Sequence, residues 1–167
     1  MDHMQVDAMK LIAAAFGACR NGLTARGPWL AAARTALDAS EGSGQMRVEV
    51  AFVADSQLSR LISGPPGRRS DGPWTDDEKA LLELIRAGLD QCDALLVEPH
   101  GGSALAQVGA VMTPLPGALR GGRMGFDPRQ FKRSLQGITV HWHLLTPRFQ
   151  ELLLAAAKRR PPLPRKR

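Results

Sequence analysis

The chain contains no tyrosine, and only 5% of its 167 residues are aromatic. It has two cysteines, Cys19 and Cys92, far apart in the chain, and neither a CxxC nor a Cys/His pair at zinc-finger spacing occurs. That excludes a disulfide framework and a structural zinc site of the usual spacing. The expectation is two small thiols buried beside apolar helix faces in a reducing compartment. No apolar run approaches the roughly 18–20 residues that cross a bilayer. The N-terminus lacks the charged-then-apolar order of a secretory signal. These absences lead to the expectation of a soluble, cytoplasmic protein with no membrane partner. No GxGxxG, Walker loop, helix-turn-helix, zinc finger or RNP motif is present, so no cofactor is expected and no base-reading module is visible. Enrichment in Ala, Gly, Arg and Pro points to a GC-rich bacterial genome.

What the chain does have is segregated charge. The net charge is +6. The last ten residues, KRRPPLPRKR, hold six basic side chains and no acid, so the remainder balances 16 against 16. Within that remainder, residues 1–113 carry 10 basic and 14 acidic groups, and residues 114–157 carry 6 basic and 2 acidic. An acidic body joined to a basic C-terminal third points to a polyanionic partner.

The hydrophobic pattern suggests the following elements. Val6, Met9, Ala13 and Phe16 have helical spacing over 5–20, closed by Asn21-Gly22. A second helix runs from Pro28 to about Ala39 on Leu30, Ala33 and Leu37, and SEGSG at 40–44 reads as a loop. MRVEVAFV at 46–53 alternates as a strand. Asp55 caps a short helix, and the Gly/Pro-rich 64–73 is a loop. TDDE from Thr75 is a capping box, opening a helix with Leu82, Ile85, Leu89 and Cys92 buried. DALLVE at 93–98 reads as a central strand. ALAQVGAVM fits either helix or strand, and 113–126 is irregular. Asp127-Pro128 opens a short helix, 138–145 reads as a strand, and Thr146-Pro147 caps a last helix ending before Pro161. The fold class is thus expected to be α/β or α+β. A single domain over 1–157, with a three- to four-stranded sheet packed by helices, precedes a disordered basic tail, 158–167.

Three groups of residues are candidate sites. On a strand, His141 and His143 would share a face, and His100 in the preceding loop would be the third member of a proton-transferring or metal-binding set, with Glu98 or Asp127 behind it. The loop Gly101, Gly102 and Ser103 would offer free amides to an anion. In the basic third, Arg120, Arg123, Arg129, Lys132, Arg133, Arg148 and Lys158 would lie along phosphates with the tail residues Arg159, Arg160, Arg165, Lys166 and Arg167, while Phe126 would stack on a base. The first expectation is therefore a protein that binds the backbone of RNA or DNA, within a larger assembly. The alternatives are a small His-dependent enzyme, metal-assisted or not, acting on a phosphate-bearing substrate, and a non-catalytic subunit that docks a protein of opposite charge.

Overall fold

Asp7 divides the N-terminal apolar stretch into a strand and a helix. Its carboxylate accepts from the amides of Met9 at 3.0 Å and Lys10 at 3.2 Å, which caps helix α1 (Ala8–Arg20). The residues before it pair instead of coiling. Strand β1 (His3–Asp7) runs antiparallel to β2 (Arg47–Ala51), with Val6 opposite Val48 and Met4 opposite Val50. The helix expected over 5–20 therefore loses its first turn to a strand. The computed structural model describes residues 3–24, 26–51, 73–122 and 127–158. The short helix after Asp55 and the loop through 64–72 lie outside them.

Helix α1 ends as its Asn-Gly signal suggests. Gly22, at φ +69°, donates to the Cys19 carbonyl, and the Leu23 amide donates back to Ala18, the paired bonds of a Schellman stop. Helix α2 (Arg26–Ser43) overruns the loop expected at 40–44. Ser40 explains the overrun: it is buried, its hydroxyl donates to the Leu37 carbonyl, and its own carbonyl accepts from the Trp74 indole at 2.9 Å. A serine whose polar groups are satisfied inside a helix no longer competes for a turn.

Helix α3 (Asp76–Leu96) starts at the expected capping box. Glu78 N donates to the Thr75 hydroxyl at 3.2 Å, and Thr75 N donates to the Glu78 carboxylate at 2.9 Å. The strand expected at 93–98 does not exist; its first four residues are the last turn of α3. The buried positions Leu82, Ile85, Leu89, Cys92 and Leu95 keep a three- or four-residue spacing to the end, so the helical period outlasts the short apolar run that suggested a strand.

ALAQVGAVM resolves as helix α4 (Gly102–Met112), which carries no charged side chain and packs against both α1 and α3. Its wide apolar face, Ala104, Leu105, Val108, Val111 and Met112, is buried, while Ser103 in its first turn stays exposed. Pro116–Gly122 forms a 3₁₀ helix against α1. Helix α5 (Pro128–Ile138) follows, capped by Asp127, whose carboxylate accepts from the amides of Arg129 and Gln130. It packs on α4 and on the final helix α6 (Pro147–Ala157).

The strand expected at 138–145 is likewise absent. Residues 128–138 are α5, and Thr139–Leu144 is a second 3₁₀ helix. Ile138, Leu145 and Phe149 are buried and Trp142 is half-buried. Their spacing of four, three and four is helical, and it outweighs the β-branched alternation that resembled a strand. Val140, which a strand would have turned inward, is 75% exposed. In place of three or four strands, the described residues contain a two-stranded sheet beside a mostly helical body. None of the described helices is long and apolar enough to cross a membrane.

Helices α1 and α4 pack backbone against backbone. A Cβ built on Gly109 would lie 2.6 Å from both the Arg20 amide nitrogen and the Phe16 carbonyl oxygen. Backbone cannot swing aside as a side chain can, so the two helices approach this closely only over a glycine. Gly109→Ala is expected to destabilise the fold by about 1–3 kcal/mol, despite alanine's higher helix propensity. Denaturant unfolding of the two proteins measures it, and an unchanged midpoint would contradict the close approach.

Candidate functional site

Helix α5 sorts its side chains into two faces. Arg129, Lys132, Arg133 and Gln136 fall at i, i+3, i+4 and i+7, and all four are exposed. Phe131 and Ile138 are buried on the opposite side. Three cations thus occupy one stripe about 6 Å long. Asp127, the acid nearest in sequence, is committed to the helix amides. Among the described residues, none of the three cations forms an ion pair. Lys158, exposed just past α6, forms none either.

Three cations elsewhere are already spent, whereas Lys10, Arg20, Arg26 and Lys79, spread over α1, α2 and α3, form no ion pair among the described residues. Arg34 of α2 binds Asp90 at 2.6 Å and also Asp93, both on α3. Arg86 of α3 reaches back to Asp38 at 2.6 Å and Glu41 at 2.5 Å on α2. The hydrogen bond with Glu41, helped by Asp38 and outweighing partial burial, pushes the Arg86 guanidinium above its ordinary pKa. These pairs are part-exposed and worth at most about 1 kcal/mol each, so their main effect is to align two helices held by apolar burial. Arg148, one of the residues expected on phosphates, is bound to Glu83 and lies 3.6 Å from Glu151. Its charge is largely answered within the molecule. Arg120 sits on the first 3₁₀ helix, but its side chain is not among the described atoms. Arg123, Phe126, Arg159, Arg160, Arg165, Lys166 and Arg167 lie outside the described residues.

The histidines are arranged differently from the expected strand pair. In a 3₁₀ helix successive residues turn by about 120°, so His141 and His143 diverge. Among the described residues, no group of three His, Cys, Asp or Glu side chains could hold a metal ion. His100, Glu98 and Asp127 therefore do not join the two histidines as a ligand set. His141 instead meets Ser103, with Ser103 Oγ 3.1 Å from His141 Nε2. The sequence had suggested these two residues for separate sites. Ser103 stands in the first turn of α4, where Gly101 is the N-cap and makes no side-chain cap bond. The amides of Gly102 and Ser103 thus begin a helix beside a hydroxyl–imidazole contact. Among the described residues, no carboxylate hydrogen-bonds the other ring nitrogen.

Beside the basic stripe lies a feature that the sequence reading missed. Lys132, Leu135, Gln136, Thr139, Trp142 and Leu154 line an open, mainly apolar recess of about 450 Å³ between α5, the second 3₁₀ helix and α6. Two glutamines hold the 3₁₀ helix and the start of α6 just after it. Gln150 Nε2 donates to the Trp142 carbonyl at 2.7 Å, and the buried Gln91 side chain accepts from the Thr146 amide at 2.7 Å. The 138–142–145–149 spacing was the signal that could have placed Trp142 beside α5 and α6.

Cys19 and Cys92 are both free and buried. The neighbouring Cys92 thiol lowers the Cys19 pKa, while Cys19, with burial added, pushes Cys92 well up. Neither belongs to the α5 surface. Buried thiols react slowly, so a thiol reagent at pH 8 is expected to find almost no fast-reacting thiol in the folded protein and both in denaturant. Rapid native labelling of either cysteine would contradict this packing.

No protein-family model matches the chain, and no match is found among curated proteins or solved structures.

Proposed function

We propose that this protein binds the phosphate backbone of nucleic acid through the exposed stripe of α5. The observation that supports this reading is the clustering of three cations, unpaired among the described residues, on one face of one helix. Arg34, Arg86 and Arg148 are engaged by the protein's own carboxylates, whereas Arg129, Lys132 and Arg133 share one helix face without an acid paired to them among the described residues. Gathering three unneutralised charges on one side costs self-repulsion, which an external polyanion removes. The basic residues 158–167 follow α6, which packs on α5, and add six further cations to the same end of the chain. Contacts of this kind read the backbone and not the sequence.

Binding should therefore be steeply salt-dependent. With about six phosphate contacts, affinity is expected to fall roughly a thousandfold between 50 and 200 mM salt. Lys132→Ala and Arg133→Ala should each reduce the salt slope by about 1. Arg148→Ala should change it much less, because that guanidinium is already held by Glu83 and Glu151. Fluorescence anisotropy with a labelled oligonucleotide measures all three, and an affinity that is flat with salt would eliminate the reading.

The Ser103–His141 contact supports a second reading, a small hydrolase acting on an ester of carboxylic or phosphoric acid. With Nδ1 protonated, His141 Nε2 accepts the Ser103 hydroxyl proton, the first requirement for a serine nucleophile. Amides at the start of α4 could then receive developing negative charge on a substrate oxygen. A fluorophosphonate probe tests this directly: the serine oxygen bonds to phosphorus, fluoride leaves, and the histidine takes the proton. Labelling at Ser103 that disappears in His141→Ala would establish the dyad. An unlabelled native protein would dismiss it.

A further inference from the structure

The α5 cations and the apolar recess share residues. Lys132 and Gln136 belong to the exposed basic stripe and also line the recess, whose remaining walls are Leu135, Thr139, Trp142 and Leu154. A ligand that fills this place must carry negative charge and, next to it, something apolar. We infer that the recess receives an unpaired base of a single-stranded nucleic acid, stacked on Trp142, while Lys132 and its neighbours on α5 hold the adjacent phosphates. The inference rests on the phosphate-binding reading and narrows it from nucleic acid in general to single strands.

Four observations converge on this occupant. Trp142 is the accessible member of the three tryptophans, since Trp29 and Trp74 are only 4% and 5% exposed. Its ring lies in a concavity within the volume range of small-molecule pockets, about 300–1,000 Å³. Its backbone is held in advance by Gln150 and by the Leu145 amide, so little freedom is lost when a ring stacks on it. The polar atoms at the rim, the Gln136 amide and the Thr139 hydroxyl, can meet the edge of a base. Thr139 Oγ1 donates to the Gln136 carbonyl at 2.8 Å and keeps its lone pairs available.

Duplexes fit this arrangement poorly. Their bases are stacked inside the helix, whereas an unpaired strand can splay one out onto an aromatic ring. A membrane surface also offers phosphate beside apolar matter, and Val140, Leu144 and Leu154 are exposed nearby. The recess walled with Lys132, Gln136 and Thr139 favours a base, whose edge those polar groups can meet, over acyl chains, which offer them no partner.

The full-length protein is titrated at low salt with a single-stranded oligonucleotide of about 12 nucleotides, with the same sequence as duplex, and with anionic phospholipid vesicles. Tryptophan emission and anisotropy are both followed. The single strand is expected to bind roughly tenfold more tightly than the duplex and to quench emission. In Trp142→Phe the quenching should vanish while stacking keeps most of the preference. In Trp142→Ala, checked for folding by its thermal melt, the preference should also vanish. Equal, salt-dependent binding of single strand and duplex with unchanged emission overturns this inference alone. Binding of neither nucleic acid overturns the phosphate-binding reading as well. An emission change with vesicles only would overturn both in favour of a lipid surface.

Discussion

The α1–α4 crossing organises the molecule, and it depends on one missing side chain. At Gly109 the α4 backbone stands directly on the backbone of α1 around Phe16 and Arg20. Helix α4 has no charged residue and buries its apolar face against α1, α3 and α5, leaving Ser103 at its exposed first turn. Everything proposed for the surface follows from that placement. The first turn of α4 carries Ser103, and its flank supports α5, where Gly137 lies close to Gln107. A helix with a larger residue at 109 would ride higher on α1 and carry the candidate sites with it.

Around this centre the charges divide into two populations. Acids on α2 and α3 take Arg34 and Arg86, and acids on α3 and α6 take Arg148. These contacts set the angle between helices more than they stabilise them, because burial of Leu30, Leu37, Leu82 and Ile85 outweighs part-exposed ion pairs. The α5 cations have no such duty. Phe131 and Ile138 anchor that helix, and its basic face contributes nothing visible to the fold. What sets them apart from Lys10, Arg20, Arg26 and Lys79, which also form no ion pair among the described residues, is that all three share one face of one helix, where an external polyanion would relieve their mutual repulsion.

The candidate site was partly legible. Arg129, Lys132 and Arg133 could be placed on one face from their spacing after Asp127-Pro128, because capping and period agree there. The histidines could not be read correctly. Thr139 to Leu144 alternates as a strand would, and only the wider 138–142–145–149 period shows that Ile138, Trp142, Leu145 and Phe149 turn to a common core. The same short window made 93–98 a strand, although Cys92 and Leu95 continue the stripe of α3. Apolar segments of four to eight residues satisfy either period, and the neighbours then decide.

Local chemistry was sufficient for the sequence to determine its own boundaries. The Thr75 capping box, the Asp127 and Thr146 caps and the Asn21-Gly22 stop each satisfy nearby backbone groups with side chains or a positive φ, and they need no distant partner. Segregation of basic residues toward the C-terminus is likewise written in the chain. Tertiary structure alone decided that Ser103 meets His141, that Arg148 is spent on Glu83, and that Trp142 opens a recess beside Lys132. Each of those contacts joins residues on different elements. Their distances depend on how helices cross, and crossing is set by the packing of the whole core rather than by any local pattern.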